Sequence, residues 1–145
     1  MKVSECMTPK VTLADPDMTL GEAARLMAMC DAGVLPVGEN DRLIGMITDR
    51  DIAIRGIGEN KGPDATVREA MSREVQWCYA EDDIDDCLQR MADEQIRRMP
   101  VLNRDKRLVG IISIGDLSAS APPQRAGVTL ESISRHTSQH SQALH

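Results

Sequence analysis

The sequence predicts an α/β protein (α+β by some schemes) made of two β-α-β-β-α repeats packed through their sheets. Three observations carry that reading. The stretch "RLIGMITDRDI" at 42–52 returns as "RLVGIISIGDL" at 107–117, with Arg-Leu, Gly, an apolar pair, a hydroxyl residue and Asp in the same order. Matches before it hold an offset of 64, one short of the stretch's 65 because the second half has one extra residue: Val3, Glu5, Met7, Val11, Met27 and Pro36-Val37 fall on Val67, Glu69, Met71, Val75, Met91 and Pro100-Val101. Within each half the apolar spacing then passes from strand to helix to a pair of strands, so the repeat is one of architecture as well as wording.

The elements follow in order. "KVTLA" (10–14) and "EVQWCY" (74–79) read as short strands. From Thr19 onward, Leu20, Ala23, Ala24 and Met27 share one helical face, and Thr19 with Glu22 has the spacing of a capping box. Ile84, Cys87, Leu88 and Met91 repeat that face. "VLPVG" and "RLIGMIT" are joined by the turn "ENDR", and "RMPVL" and "RLVGIIS" by "NRDK", which predicts two hairpins. A last helix begins near Asp49 in one half and near Ile114 in the other.

"GIGENKGPDAT" (56–66), with three Gly and one Pro, marks the boundary, giving repeats at 1–60 and 61–120. A unit of about 60 residues is marginal alone, which is why the two are expected to share a core. Residues 121–145 read as a polar tail, expected to be mobile, with a helical turn or two at "VTLESISRH" (128–136).

Composition narrows the function. With no Phe, one Trp and one Tyr, the core must come from aliphatic residues and nine Met. No run approaches a membrane span, and "MKVSECMTPK" lacks the apolar stretch of a signal peptide, so a cytoplasmic protein is expected. A net charge of −6 argues against a nucleic-acid partner. Cys6, Cys30, Cys78 and Cys87 have no zinc-ligand spacing. Cys30 and Cys87 lie on the long helices near the apolar face. They are expected to be largely buried, with Cys6 the most accessible; a redox-sensitive Cys30–Cys87 pair is the competing reading.

The repeated motif carries the chemistry. Thr48 and Ser113 stand where a strand becomes a helix, and a helix start favours phosphate. Asp51 and Asp116, three residues on, offer a carboxylate to vicinal hydroxyls such as those of a ribose. The same residues read equally as plain helix caps.

The β-α-β-β-α repeat resembles the tandem CBS domain, the module first named for cystathionine β-synthase. So do "MTP" and "MS" at the openings, the "PV" strands and the duplicated G-h-h-[ST]-x-x-D, over residues 1 to about 118. The compact length and "ITDRDI" are most similar to small stand-alone bacterial members. The resemblance implies two repeats related by a pseudo-twofold axis. The clefts between them would take an adenosine compound as a regulatory ligand: AMP, ADP, ATP, NAD or S-adenosylmethionine.

It places phosphate or ribose at Thr48 with Asp51 and at Ser113 with Asp116. The base would lie against Val11, Thr12, Val34 and Pro36, and against Val75, Gln76, Met99 and Pro100. Arg98, with Arg97 beside it, would meet a phosphate in the second site, whereas the first offers only Arg50. The resemblance also implies a homodimer through the helices at 19–30 and 83–95, with Met27 and Met91 near the interface. A signalling role toward an unidentified target protein, such as energy sensing, goes with it, and no cofactor is required.

No catalytic constellation is read. His136, His140 and His145 all fall in the tail, and "EDDIDD" reads as acids favoured at a helix start, so neither an enzyme nor a metal site is expected. The competing function is a ligand-free dimeric adaptor, or an interaction protein responsive to redox state or hypoxia.

Overall fold

A computed structural model describes residues 1–120 of the chain; the expectations for 121–145, including the turn at 128–136 and the three histidines, lie outside those residues. After a 3₁₀ turn at Val3–Glu5, the chain forms β1 (Thr8–Pro9), α1 (Leu20–Cys30), β2 (Val34–Glu39), β3 (Arg42–Thr48) and α2 (Asp49–Asp51). α2 runs on as a π-helical segment at Ile52–Ile57. Then come α3 (Val67–Ala70), β4 (Cys78–Tyr79), α4 (Ile84–Glu94), β5 (Arg98–Leu102), β6 (Leu108–Ser113) and α5 (Ile114–Ser120).

These elements gather into two compact units, cut differently from the sequence repeats. One is Val11–Val75; the other joins Met1–Lys10 to the chain from Gln76 onward. The opening segment of each repeat therefore folds with the body of the other, and it does so in the same way both times. In the Val11–Val75 unit, Ser72 bridges Met46 through two hydrogen bonds of 2.9 Å. In the other, β1 lies antiparallel to β6, with Thr8 opposite Ile111 and Pro9 opposite Gly110. The openings "MTP" and "MS" are thus short outer strands laid against the Gly of the repeated motif.

Both hairpins form as expected, β2 against β3 and β5 against β6, with one irregularity each, after Val37 and after Val101. The preceding strands are shorter than expected. Of "KVTLA" only Ala14 pairs, parallel to Val37, and of "EVQWCY" only Cys78 and Tyr79 pair, parallel to Val101 and Leu102. The cause is the "PV" proline. Ala14 donates to the Pro36 carbonyl (2.9 Å) and accepts from Gly38 (3.1 Å). The next rung would need an N–H on Pro36 for the Thr12 carbonyl, and proline has none. Pro100 stops the second ladder at the same place.

The capping box at α1 forms: the Glu22 amide donates to Thr19 Oγ1 (3.1 Å) and the Thr19 amide to Glu22 Oε2 (3.4 Å). Leu20, Ala23 and Met27 are buried against Leu35, Val37, Ile47 and Val67, but Ala24 is exposed. Ile84, Cys87, Leu88 and Met91 are all consumed by the core of their own unit, packed with Met99, Val101, Ile112 and Leu117. Arg68 of α3 pairs with Glu39 of β2 (2.5 Å), holding the exchanged segment to the hairpin.

A Cβ on Gly45 would lie 2.6 Å from the Ser72 carbonyl oxygen, and one on Gly110 would lie 2.6 Å from Met7 Sδ and 2.9 Å from the Thr8 carbonyl oxygen. Gly45→Ala is expected to cost ~1–3 kcal/mol, because a rigid backbone must shift. Gly110→Ala should cost less, since its nearest neighbour is a flexible Met tip. Urea denaturation followed by circular dichroism measures both; equal stability of Gly45→Ala and wild type would contradict the close approach.

Candidate functional site

The two motif Asp residues sit identically. In the Val11–Val75 unit the Asp51 amide donates to Thr48 Oγ1 (2.9 Å), and the Thr48 amide donates to Asp51 Oδ2 (3.0 Å). In the other unit the Asp116 amide donates to Ser113 Oγ (3.1 Å), and the Ser113 amide donates to Asp116 Oδ2 (3.0 Å). Each pair is a reciprocal capping box at a strand-to-helix junction. One carboxylate oxygen of each Asp is therefore committed to the fold. Both Asp side chains are half-buried, so the remaining oxygen, Oδ1, is the one available to a ligand.

The hairpins set the rest of the geometry. Val34 stands opposite Thr48, and Arg98 stands opposite Ser113. The Asp49 amide donates to the Gly33 carbonyl (2.9 Å) and the Ile114 amide to the Arg97 carbonyl (2.8 Å). Each helix start is thereby tied to the residue that enters the strand. Val11, Thr12, Val34, Pro36, Thr48, Arg50 and Asp51 lie in the Val11–Val75 unit, as does Val75. Gln76, Arg98, Met99, Pro100, Ser113 and Asp116 lie in the other. Pro36, Met99 and Pro100 are buried, Val11, Val34 and Val75 are half-buried, and Thr12 and Gln76 are exposed. Where the proline stops the ladder, Val11, Thr12, Val75 and Gln76 make no ladder pairs.

The two constellations differ in charge. At the first helix start the Arg50 amide already donates to Asp49 Oδ1 (2.8 Å). The Asp49 carboxylate also lies against Gly33, whose Cβ position is 3.0 Å from Oδ2. At the second start Ile114 and Gly115 stand in place of Asp49 and Arg50, so no side-chain carboxylate occupies the equivalent position. Arg97 and Arg98 are exposed beside it, and among the described residues neither makes an ion pair. Asp49 was not singled out in the sequence; a carboxylate at the first helical position reads there as an ordinary dipole partner.

Two expectations about the cysteines are corrected. Cys30 is exposed at the end of α1, its Sγ 3.5 Å from Thr12 Oγ1, whereas Cys6 is half-buried. Cys30 continues the spacing of Leu20, Ala23 and Met27 but is the last residue of α1, beyond the part of that face that is buried. The sulfur beside Cys87 is that of Cys78, 4.0 Å away in the same unit.

A 330 Å³ groove opens on the α1 side of the Val11–Val75 unit, lined by Ala24, Met27, Ala28, Asp31, Gly33 and Asp49 among others. It lies by the outer surface of α1, where Met29 is 82% exposed. No helix among the described residues is long and apolar enough to cross a membrane.

Residues 3–56 and 67–121 each match the CBS domain family. The chain is 38% identical over 133 residues to the CBS domain-containing protein YhcV of Bacillus subtilis, covering 91% of this chain and 94% of that one. It is 38% identical over 120 residues to hypoxic response protein 1 of Mycobacterium tuberculosis, covering 81% and 83%. The crystal structure of hypoxic response protein I with two coordinated zinc ions superposes with a TM-score of 0.76 at 36% identity, over 83% of this chain and 99% of that one. Among the described residues here, no group of three or more His, Cys, Asp or Glu is placed to hold a metal ion. The CBS domain pair of protein MJ0100, solved with 5′-methylthioadenosine and S-adenosyl-L-methionine, gives a TM-score of 0.73 at 27% identity, over 82% and 94%.

The capping geometry makes a test possible without any ligand. Asp51→Ala removes the acceptor of the Thr48 amide and should cost ~0.5–1.5 kcal/mol of stability. Asp51→Asn keeps an acceptor there and should cost less. Thermal and urea denaturation of the pair would separate the structural role of this residue from any binding role.

Proposed function

The chain belongs to the CBS domain family, and we propose that it is a regulatory protein whose two units each offer a site for an adenosine compound. The observation that carries this reading is the proline-stopped sheet. A flat base needs a slot with backbone donors and acceptors on its walls. In this reading the ladder-free backbone of Val11-Thr12 in one unit and of Gln76 in the other, each next to a strand stopped by its proline, would supply those groups. Beyond the slot, Oδ1 of Asp51 or Asp116 is placed to accept from ribose hydroxyls.

The charge difference sorts the ligands. Arg98, with Arg97, favours a phosphorylated compound such as AMP, ADP or ATP in the unit that holds Asp116. Asp49 disfavours phosphate in the other unit, which suits an uncharged or positively charged compound, such as 5′-methylthioadenosine or S-adenosyl-L-methionine, the ligands of the MJ0100 domain pair. NAD remains within the chemistry of the Asp116 unit. The protein would act by passing its ligand state to a target protein rather than by catalysis.

Calorimetric titration with adenosine, AMP, ATP, NAD and S-adenosylmethionine tests the reading. Saturation at 100 times Kd should stabilise the fold by ~2.7 kcal/mol, seen as a raised melting temperature. Asp51→Asn and Asp116→Asn should each weaken one site by roughly 10- to 150-fold, the equivalent of ~1.5–3 kcal/mol for hydrogen bonds to a charged group. Arg98→Ala should weaken ATP more than adenosine. Absence of binding by all five compounds would refute the sensor and leave an adaptor that binds no nucleotide.

A homodimer is the second part of the proposal. Met29, Ala24 and Ala28 are apolar and exposed on α1, whereas α4 turns Asp85, Asp86, Gln89, Asp93 and Glu94 outward. Self-association therefore draws on α1, since Met91 is spent in the core. Light scattering should return twice the 15.9 kDa chain mass, and Met29→Glu should lower it. A 15.9 kDa species at micromolar concentration would refute the dimer.

A further inference from the structure

Cys78 and Cys87 have no part in the proposed ligand sites. Cys78 lies on β4, a two-residue edge strand with a single neighbour, and Cys87 lies in the first turn of α4. Both are fully buried, among Val3, Leu88, Met91 and Val101. Their sulfurs are 4.0 Å apart, and the Cys87 thiol donates to Cys78 Sγ. The Cys78 sulfur also lies 3.9 Å from the Pro100 carbonyl.

We propose that Cys78 and Cys87 are a modification site, a dithiol that hydroperoxides oxidise to an internal disulfide. The pair is already in contact, and a disulfide requires the sulfurs to close by only about 2 Å, to a bond length near 2.05 Å. β4 has a ladder on one side only; otherwise the Tyr79 amide on Asp82 Oδ2 (2.9 Å) and Arg90 on the Trp77 carbonyl hold it, so the movement is a local opening of those contacts. The same local opening admits a small oxidant to sulfurs that are otherwise covered.

The two thiols have different parts. The S–H that Cys78 accepts from Cys87 pulls Cys78 below the ordinary thiol range, with Arg90 acting the same way against burial and Asp82. That bond, together with burial, pushes Cys87 far up. Cys78 is therefore the nucleophile: as its thiolate it attacks a peroxide oxygen, the O–O bond breaks, and the departing hydroxide takes up the proton as water. Cys87 then attacks the Cys78 sulfenic acid, the S–O bond breaks, and the leaving hydroxide departs as water with the Cys87 proton. In sum, two thiols and one hydrogen peroxide give one disulfide and two waters, and the pair's two electrons reduce the peroxide. None of this depends on an adenosine ligand.

The test uses the full chain with Cys6→Ala, which keeps an apolar side chain at that half-buried position, and Cys30→Ser at an exposed one, leaving only the buried pair. The native protein is treated with hydrogen peroxide, quenched, denatured with N-ethylmaleimide and weighed intact. The expected product carries no maleimide, weighs about 2 Da less than the reduced chain, and regains two adducts after dithiothreitol. Adding Cys87→Ser, which keeps a donor beside Cys78 but cannot form a disulfide, should stall the reaction at a Cys78 sulfenic acid that dimedone traps; in wild type, peptide mapping should find the Cys78–Cys87 link directly. Two maleimide adducts after a peroxide dose that fully oxidises Cys30 in wild type would overturn the proposal. So would a gain of oxygen on either sulfur without the disulfide.

Discussion

A missing N–H governs both halves of this molecule. Pro36 and Pro100 sit in central positions of their hairpins, where each accepts on one side and can donate on neither. The first strand of each repeat can therefore pair for only one or two residues, and the residues before it make no ladder pairs. Such backbone is costly to bury unless water or a ligand satisfies it. The proline thus leaves polar backbone next to each short strand without a ladder partner. The capping boxes and the strand entries at Val34 and Arg98 lie on the hairpins that carry those prolines.

The repeated motif serves stability with one carboxylate oxygen and leaves the other for the proposed ligand. Thr48 with Asp51 and Ser113 with Asp116 each close a reciprocal pair that satisfies two amides at a helix start. The cap holds each carboxylate in one orientation by one oxygen, which pre-organises the other. A flexible surface Asp would lose rotamer freedom on binding; one already fixed by its helix loses little. Capping and ligand binding are therefore compatible uses of one residue, and a sequence pattern cannot distinguish them.

The hairpins, both long helices and the capping boxes were legible in the sequence, because apolar period, short polar turns and S/T-x-x-E/D spacing are local signals. The strand lengths were not, since the residue that ends "KVTLA" is Pro36, more than twenty positions away on the neighbouring strand. The exchange of opening segments was equally hidden: Val3 and Val67 match in sequence whichever unit they fold into. Cys30 and Cys87 read alike on their helices, but Cys30 is the last residue of α1 and Cys87 lies in the first turn of α4, so one thiol is exposed and the other is in the core. The motif Asp residues were legible as a pair. Their asymmetry rests on Asp49 and Gly33, whose meeting depends on the hairpin register.

The exchange of opening segments also orders the events of synthesis. Val11–Val75 leaves the ribosome as one continuous stretch holding every residue of its own core. The other unit is discontinuous: Val3 first meets its partners at residues 80–84, and β1 pairs only when β6 follows. Closing a loop of roughly 65 flexible residues is entropically expensive. A Val11–Val75 unit that has already folded replaces that loop with a compact body. Residues 1–10 are then a held segment, waiting while a whole unit is made, and a chain that stalls before Leu108 would carry one finished unit and one strand with nothing to pair.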